Sequence, residues 1–182
     1  MPTSVASPAR NAGLARALRA LVRETLALER LEPGEIAIVL ADDPALRALN
    51  RRYRSLNRTT DVLSFSYDDG APRDGGQTPE RAPARGRASA RDSGRRARPA
   101  ATHGDVVISL DRVREQAARY RVTRGRELAR LAVHGTLHLA GLDHRTEAER
   151  RHMRRREDLA LRLCAAHVRA LERALDRGPL PA

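Results

Sequence analysis

The sequence predicts a mixed α/β domain on three observations. Amphipathic helical periods alternate with short β-rich apolar runs, one helix is apolar on most of its sides, and that same helix carries closely spaced histidines. A chain of 182 residues has room for one domain with a proper core, since single domains usually run ~100–200 residues. Hydrophobic residues at 41% and charged residues at 32% suit a soluble globular protein and exclude collagen-like and coiled-coil classes. With aromatics at 2% and no Trp, the core has to come mainly from Leu, Ala and Val.

Leu14, Leu18, Leu21, Val22, Thr25 and Leu28 recur at helical spacing and predict an amphipathic helix over roughly 13–30. Glu35 to Ala41 is a short β-rich apolar run, read as a buried strand. Before it no clear strand is legible, and Thr3 to Ala6 offers only a reduced one. Asp43 before Pro44 reads as the cap of a helix carrying Leu46, Leu49 and Tyr53. Asp61 to Tyr67 alternates like a strand, and Asp105 to Leu110 is another. A helix over Asp111 to about Tyr120 follows, then a buried one over Glu127 to Ala140 that Gly141 stops. Thr146 and Glu149 form a capping box that opens a final Arg-rich helix to about Leu175.

Between the strands, residues 71–102 hold eight Arg against three acids, with no Val, Ile, Leu or aromatic residue. Such a stretch cannot bury enough surface to offset its ordering entropy, so it reads as a disordered insert within a single domain spanning 1–182. A solvated spacer and an RNA-steering arm both fit that composition. Net charge is +12 and all 35 basic residues are Arg. Guanidinium forks onto phosphate and stacks on bases, so a polyanionic partner is in keeping with this bias, which codon usage also explains. No apolar stretch approaches the ~20 residues of a bilayer span, and no secretory signal is visible, so a cytoplasmic protein with no membrane partner is expected. The single cysteine, Cys164, sits among Leu161, Leu163 and Val168 and reads as core filler in a reducing compartment.

The chemistry concentrates in His134, His138 and His144. Four residues turn a helix by about 40° beyond one full turn and advance it ~6 Å, so His134 and His138 share a face and reach one metal ion. Gly141 lets the chain turn so that His144 returns as a third ligand. Three histidines leave one position of a tetrahedral Zn²⁺ open, the arrangement of a catalytic site; imidazole also suits Ni, Cu or Fe, and geometry and abundance favour Zn²⁺. His103, His152 and His167 fall outside the pattern. The spacing also matches the HExxHxxGxxH helix of zinc proteases, but Gly135 stands where those carry the glutamate base. Gly135 could instead leave space for a bulkier substrate such as a nucleotide. Asp143, beside His144, is a candidate to orient a ligand imidazole or shuttle a proton.

The run HGTLHLAGLDH, with LNRRYRSLNRTTDVLSFS upstream and GDVVISLDRVREQA after the insert, resembles the YbeY family of endoribonucleases, also called ribosomal RNA maturation factors. The resemblance covers about residues 14–165 apart from the insert. It implies a small mixed, mostly parallel sheet packed with helices and one Zn²⁺ held by His134, His138 and His144. It further implies cleavage of single-stranded RNA, with roles in 16S rRNA 3′-end maturation and ribosome quality control. Its partners would then be ribosomal RNA and the small subunit, with no DNA expected. Carried over by position, the family's functional arginine falls on Arg54, which joins His134 as an expected catalytic residue. A guanidinium there would bind two oxygens of the phosphorane. Thr60, Asp61 and Ser64 are expected substrate contacts, with Tyr53, Phe65 and Tyr67 as faces for stacking a base. The chain departs from the family at Asn57, where an acid is common, at Ser66, where proline is, and in its Arg-rich insert. A non-catalytic, RNA-binding assembly factor with a structural metal is the alternative reading, and a metalloprotease ranks below both.

Overall fold

The computed structural model describes residues 4–6, 11–67 and 101–176; the Arg-rich stretch 71–100 lies outside the described residues. The elements run β1 (Ser4–Ala6), α1 (Ala12–Leu28), β2 (Glu32–Ala41), α2 (Asp43–Arg54), β3 (Val62–Ser66), β4 (Ala101–Ser109), α3 (Leu110–Tyr120), α4 (Arg124–Leu139), α5 (Glu147–Leu163) and α6 (Ala165–Asp176). They build one sheet in the order β1-β2-β4-β3. β1 and β4 both run parallel to β2, and β3 is antiparallel to β4. This is the mixed, mostly parallel sheet that the sequence motifs imply.

The structure corrects four sequence expectations. A strand does precede Glu35: β1 pairs Val5 with Ile38, but three residues are too few to show a period. Asp42, not Asp43, caps α2, accepting from the Ala45 amide. The Asp43 carboxylate is drawn inward instead, taking the Ser109 hydroxyl at 2.6 Å and the Arg112 guanidinium. The final helix is two, because it stops at Cys164 and restarts as α6. Ala101 and Thr102, assigned to the insert on composition, lie in β4 opposite Glu32 and Pro33, with Thr102 buried.

The sheet separates two apolar layers. On one face Ile36, Ile38, Leu40, Val106 and Ile108 pack with Leu14, Leu18, Leu21 and Val22 of α1 and Leu128, Leu131 and Leu137 of α4. On the other, Leu63 and Val107 meet Leu46 of α2, with Val39, Leu49 and Phe65 around them. Successive β3 residues therefore alternate sides, and edge strand β3 lies between α2 and α4. Cys164 is buried in the larger layer, the core filler expected of it, and burial together with Glu24 pushes its thiol up to about 12. Among the described residues no helix is long and apolar enough to cross a membrane.

α4 is packed by the sheet and by α1, α3, α5 and α6, which is why it is apolar on nearly every side. Its approach to the sheet is set at Gly135. A Cβ there would stand 2.5 Å from Val106 Cγ1 and 3.1 Å from Ser64 Oγ, so only glycine lets the helix lie this close. Gly135 thus faces the sheet rather than leaving space for a substrate, and the glutamate of a zinc protease does not fit its position. Gly135→Ala is expected to lower unfolding free energy by about 1–3 kcal/mol despite alanine's better helix propensity, as read by urea denaturation. Combined with Val106→Ala it should cost less than the two single changes added.

Candidate active site

His134 and His138 occupy the last turn and a half of α4, and the chain behind them turns by hydrogen bonds that the sequence dictates. Gly141 adopts φ +86°, its amide donates to His138 O at 2.9 Å, and the Leu142 amide donates to Leu137 O at 3.0 Å. These are the two bonds of a glycine-terminated Schellman end. Three residues after Gly141 the chain presents His144, and two further on Thr146 and Glu149 close the expected capping box of α5. His144 is therefore held between two rigid helix ends.

The three imidazoles form a near-equilateral cluster, with ring centroids 4.7, 5.0 and 5.4 Å apart and one nitrogen of each within 4.8 Å of the others. His134 Nε2 and His138 Nε2 are 3.2 Å apart. Two nitrogens on a tetrahedral zinc at ~2.0–2.1 Å would stand ~3.3 Å apart, so the donor set fits that ion. Burial first, then the neighbouring imidazoles, pulls His138 down to about 4, so at neutral pH it carries the lone pair a metal requires.

The carboxylate that meets a ligand imidazole is Glu157, not Asp143. His134 Nδ1–H donates to Glu157 Oε1 at 2.6 Å, with both side chains largely buried. That bond holds the tautomer that aims Nε2 at the cluster. Asp143 is committed elsewhere, taking the His144 amide at 2.8 Å and Arg145 at 2.7 Å. Burial pushes its pKa up, but those two partners bring it below the ordinary carboxylate value. Glu157 lies thirteen residues beyond His144 on another helix, out of reach of a local motif. Its signal was its place with buried Met153 and Ala160 on the inward line of α5.

Arg54 ends α2, and Ser55 turns the chain in the left-handed region with φ 57°. Its guanidinium is solvent-accessible, has no ion-pair partner among the described residues, and is lowered from its ordinary pKa by the protein around it. Next to it, the Tyr53 ring meets Phe65 edge-on at 5.2 Å between centroids. Phe65 follows Ser64, whose hydroxyl donates to Gly135 O at 3.0 Å. The end of α2 that carries Arg54 and the end of α4 that carries the histidines thus pack against opposite faces of edge strand β3.

Asn50, which sequence reasoning passed over, is buried and donates from Nδ2 to Arg58 O at 2.8 Å, folding the loop after Arg54 back onto α2. Of the expected substrate contacts, Ser64 is spent on Gly135. Asp61 takes its own strand's Val62 amide at 3.0 Å and Gln116 Nε2 at 3.3 Å. Gln116 in turn accepts from Arg130, which forks onto buried Glu127. Thr60 makes only long contacts within its own loop, leaving its hydroxyl available. Tyr53 and Tyr67 are exposed; a hydrogen bond to Asp105 pushes the Tyr67 phenol up to about 12.

This arrangement defines a mixed α/β protein with a helix-borne three-histidine site suited to a metal ion. The family description Endoribonuclease YbeY matches residues 5–164, and the chain belongs to that family. It is 40% identical over 130 residues to the Endoribonuclease YbeY of Pelotomaculum thermopropionicum, covering 71% of this chain and 72% of the relative. It is 35% identical over 146 residues to that of Desulforamulus reducens, covering 80% and 82%. The solution structure of TM1509 from Thermotoga maritima shares the fold, with a TM-score of 0.52 at 19% identity over 99% of this chain and 95% of that one.

Glu157→Ala is expected to weaken zinc affinity about 10–100-fold, measured by competition with a chromophoric chelator, with Glu157→Gln in between.

Proposed function

We propose that this chain is a zinc-dependent endoribonuclease of single-stranded RNA. Its setting in this reading is the cytoplasm, its substrate is ribosomal RNA of the small subunit, and its work is 16S 3′-end maturation and ribosome quality control. The observation that carries the reading is the pairing of two unlike groups on the elements that flank β3: three converging imidazoles at the end of α4, and at the end of α2 an arginine without an acid partner among the described residues. The relatives named above bear the name endoribonuclease.

Cleaving a phosphodiester builds negative charge on a five-coordinate phosphorus, and Arg54 supplies a fixed positive fork for two of its oxygens. Zinc held by His134, His138 and His144 would polarise a third oxygen or lower the pKa of the attacking hydroxyl or water. Glu157 keeps His134 oriented, and Asn50 keeps the loop behind Arg54 folded. Thr60 offers its hydroxyl to the strand, while Asp61 and Ser64 hold β3 and α4 in register around the cleft.

The test is cleavage of a single-stranded ribosomal RNA fragment by zinc-loaded protein. Arg54→Ala should lower kcat by about 10²–10³-fold with the zinc content unchanged. His138→Ala should abolish cleavage while keeping the far-UV circular dichroism of the fold. A 2′,3′-cyclic phosphate on the products marks the RNA's own hydroxyl as the attacking group. Equal cutting by all three proteins would assign the activity to a contaminant and favour a non-catalytic assembly factor.

A further inference from the structure

Several arginines are neutralised by carboxylates within reach. Arg112 binds Asp43 and Glu115, Arg130 binds Glu127, Arg145 binds Asp143, and Arg156 binds Glu29. The segment 44–60 carries no carboxylate of its own, with five Arg and no Asp or Glu. Three of these, Arg47, Arg51 and Arg54, stand at i, i+4 and i+7 on α2, one exposed stripe about 10 Å long.

Arg51 and Arg54 have no ion-pair partner among the described residues, and Arg47 spends only its Nε, on the neutral amide of Asn57 at 2.9 Å. An open groove of about 480 Å³ runs beside the stripe, lined by Arg47, Arg51, Asn57 and Thr59. Asp43 also borders it, but its carboxylate is already taken by Arg112 and Ser109. The pull of a helix C-terminus accounts for cations in the last turn, yet Arg47 lies in the first half of α2, beyond that effect.

We propose that this stripe is a track for the RNA backbone, leading the strand away from Arg54 along α2, with Arg47 and Arg51 each neutralising a phosphate. The track rests on the endoribonuclease reading and extends it, since Arg54 is the point where it meets the cleft. Asn57 and Thr59 supply neutral polar contacts to sugar or phosphate, and with the Asp43 carboxylate held by Arg112 and Ser109 no unpaired acid lines the groove to repel the strand. Such contacts set register and affinity on single strands without reading sequence.

The experiment is binding of a fluorescent 2′-O-methyl oligouridylate to the zinc-loaded protein by anisotropy over a range of NaCl, with probe integrity checked on a gel. Each phosphate contact contributes about 0.7 to the slope of log affinity against log salt on a single strand. Arg47→Gln with Arg51→Gln should therefore reduce that slope by about 1.4. Arg154→Gln with Arg155→Gln, removing equal charge from exposed positions of α5, should leave it unchanged. Arg47→Lys with Arg51→Lys should restore it, because the track needs charge and not the Arg47 to Asn57 bond. An unchanged slope in the α2 glutamine pair, an equal loss in the α5 pair, or no restoration by lysine would each overturn the track while leaving the endoribonuclease reading standing. A wild-type protein that binds no single strand even at low salt would overturn both.

Discussion

A helix that lies directly on a sheet at a position without a side chain leaves its neighbours little freedom. At Gly135 the backbone of α4 comes so near Val106 and Ser64 that a single added carbon would collide, and this contact sets where both ends of the helix fall. Everything polar that α4 carries must emerge where packing stops. At its C-terminal end this leaves His134 and His138 at the margin of the core, with backbones held by the sheet and rings reaching solvent. The Schellman end at Gly141 and the capping box at Thr146 then bring His144 to the same place by local hydrogen bonds alone. Rigid elements on either side of each ligand are what a site with open coordination requires.

Burial keeps the electrostatics of this cluster separate from those of the surface. Burial, which holds His138 neutral, also penalises a polar group left without a partner, and Glu157 has one in His134. Arg130, one turn before His134, is fully engaged with Glu127 and Gln116, so its charge is met by internal partners. Across β3, Arg51 and Arg54 on α2 have no carboxylate partner among the described residues.

The local readings held where the physics is local. The helix over roughly 13–30 and the buried helix with its glycine stop rest on spacing and capping, which act within a few residues, and the structure reproduces them to within three residues at each end. The misses have long-range causes. Asp42 took the cap from Asp43 because Ser109 and Arg112, more than sixty positions away, claim the second aspartate. β1 is a strand only because β2 offers an edge to pair with. The carboxylate beside the metal cluster was sought next to His144 in sequence and is found on the following helix.

The sequence by itself determined where a metal-binding site could form, since three histidines at ligand spacing need only residue type and short-range period, and its resemblance to the YbeY family pointed to Arg54. Only the tertiary structure decided how they are used. It turned Gly135 from possible substrate space into a packing contact and committed Ser64 and Asp61 to holding β3. It also chose Glu157 over Asp143 and set Arg54 across the edge strand from the histidines. Distances between elements far apart in the chain depend on how closely their faces pack, and that closeness is a property of the whole core rather than of any one segment.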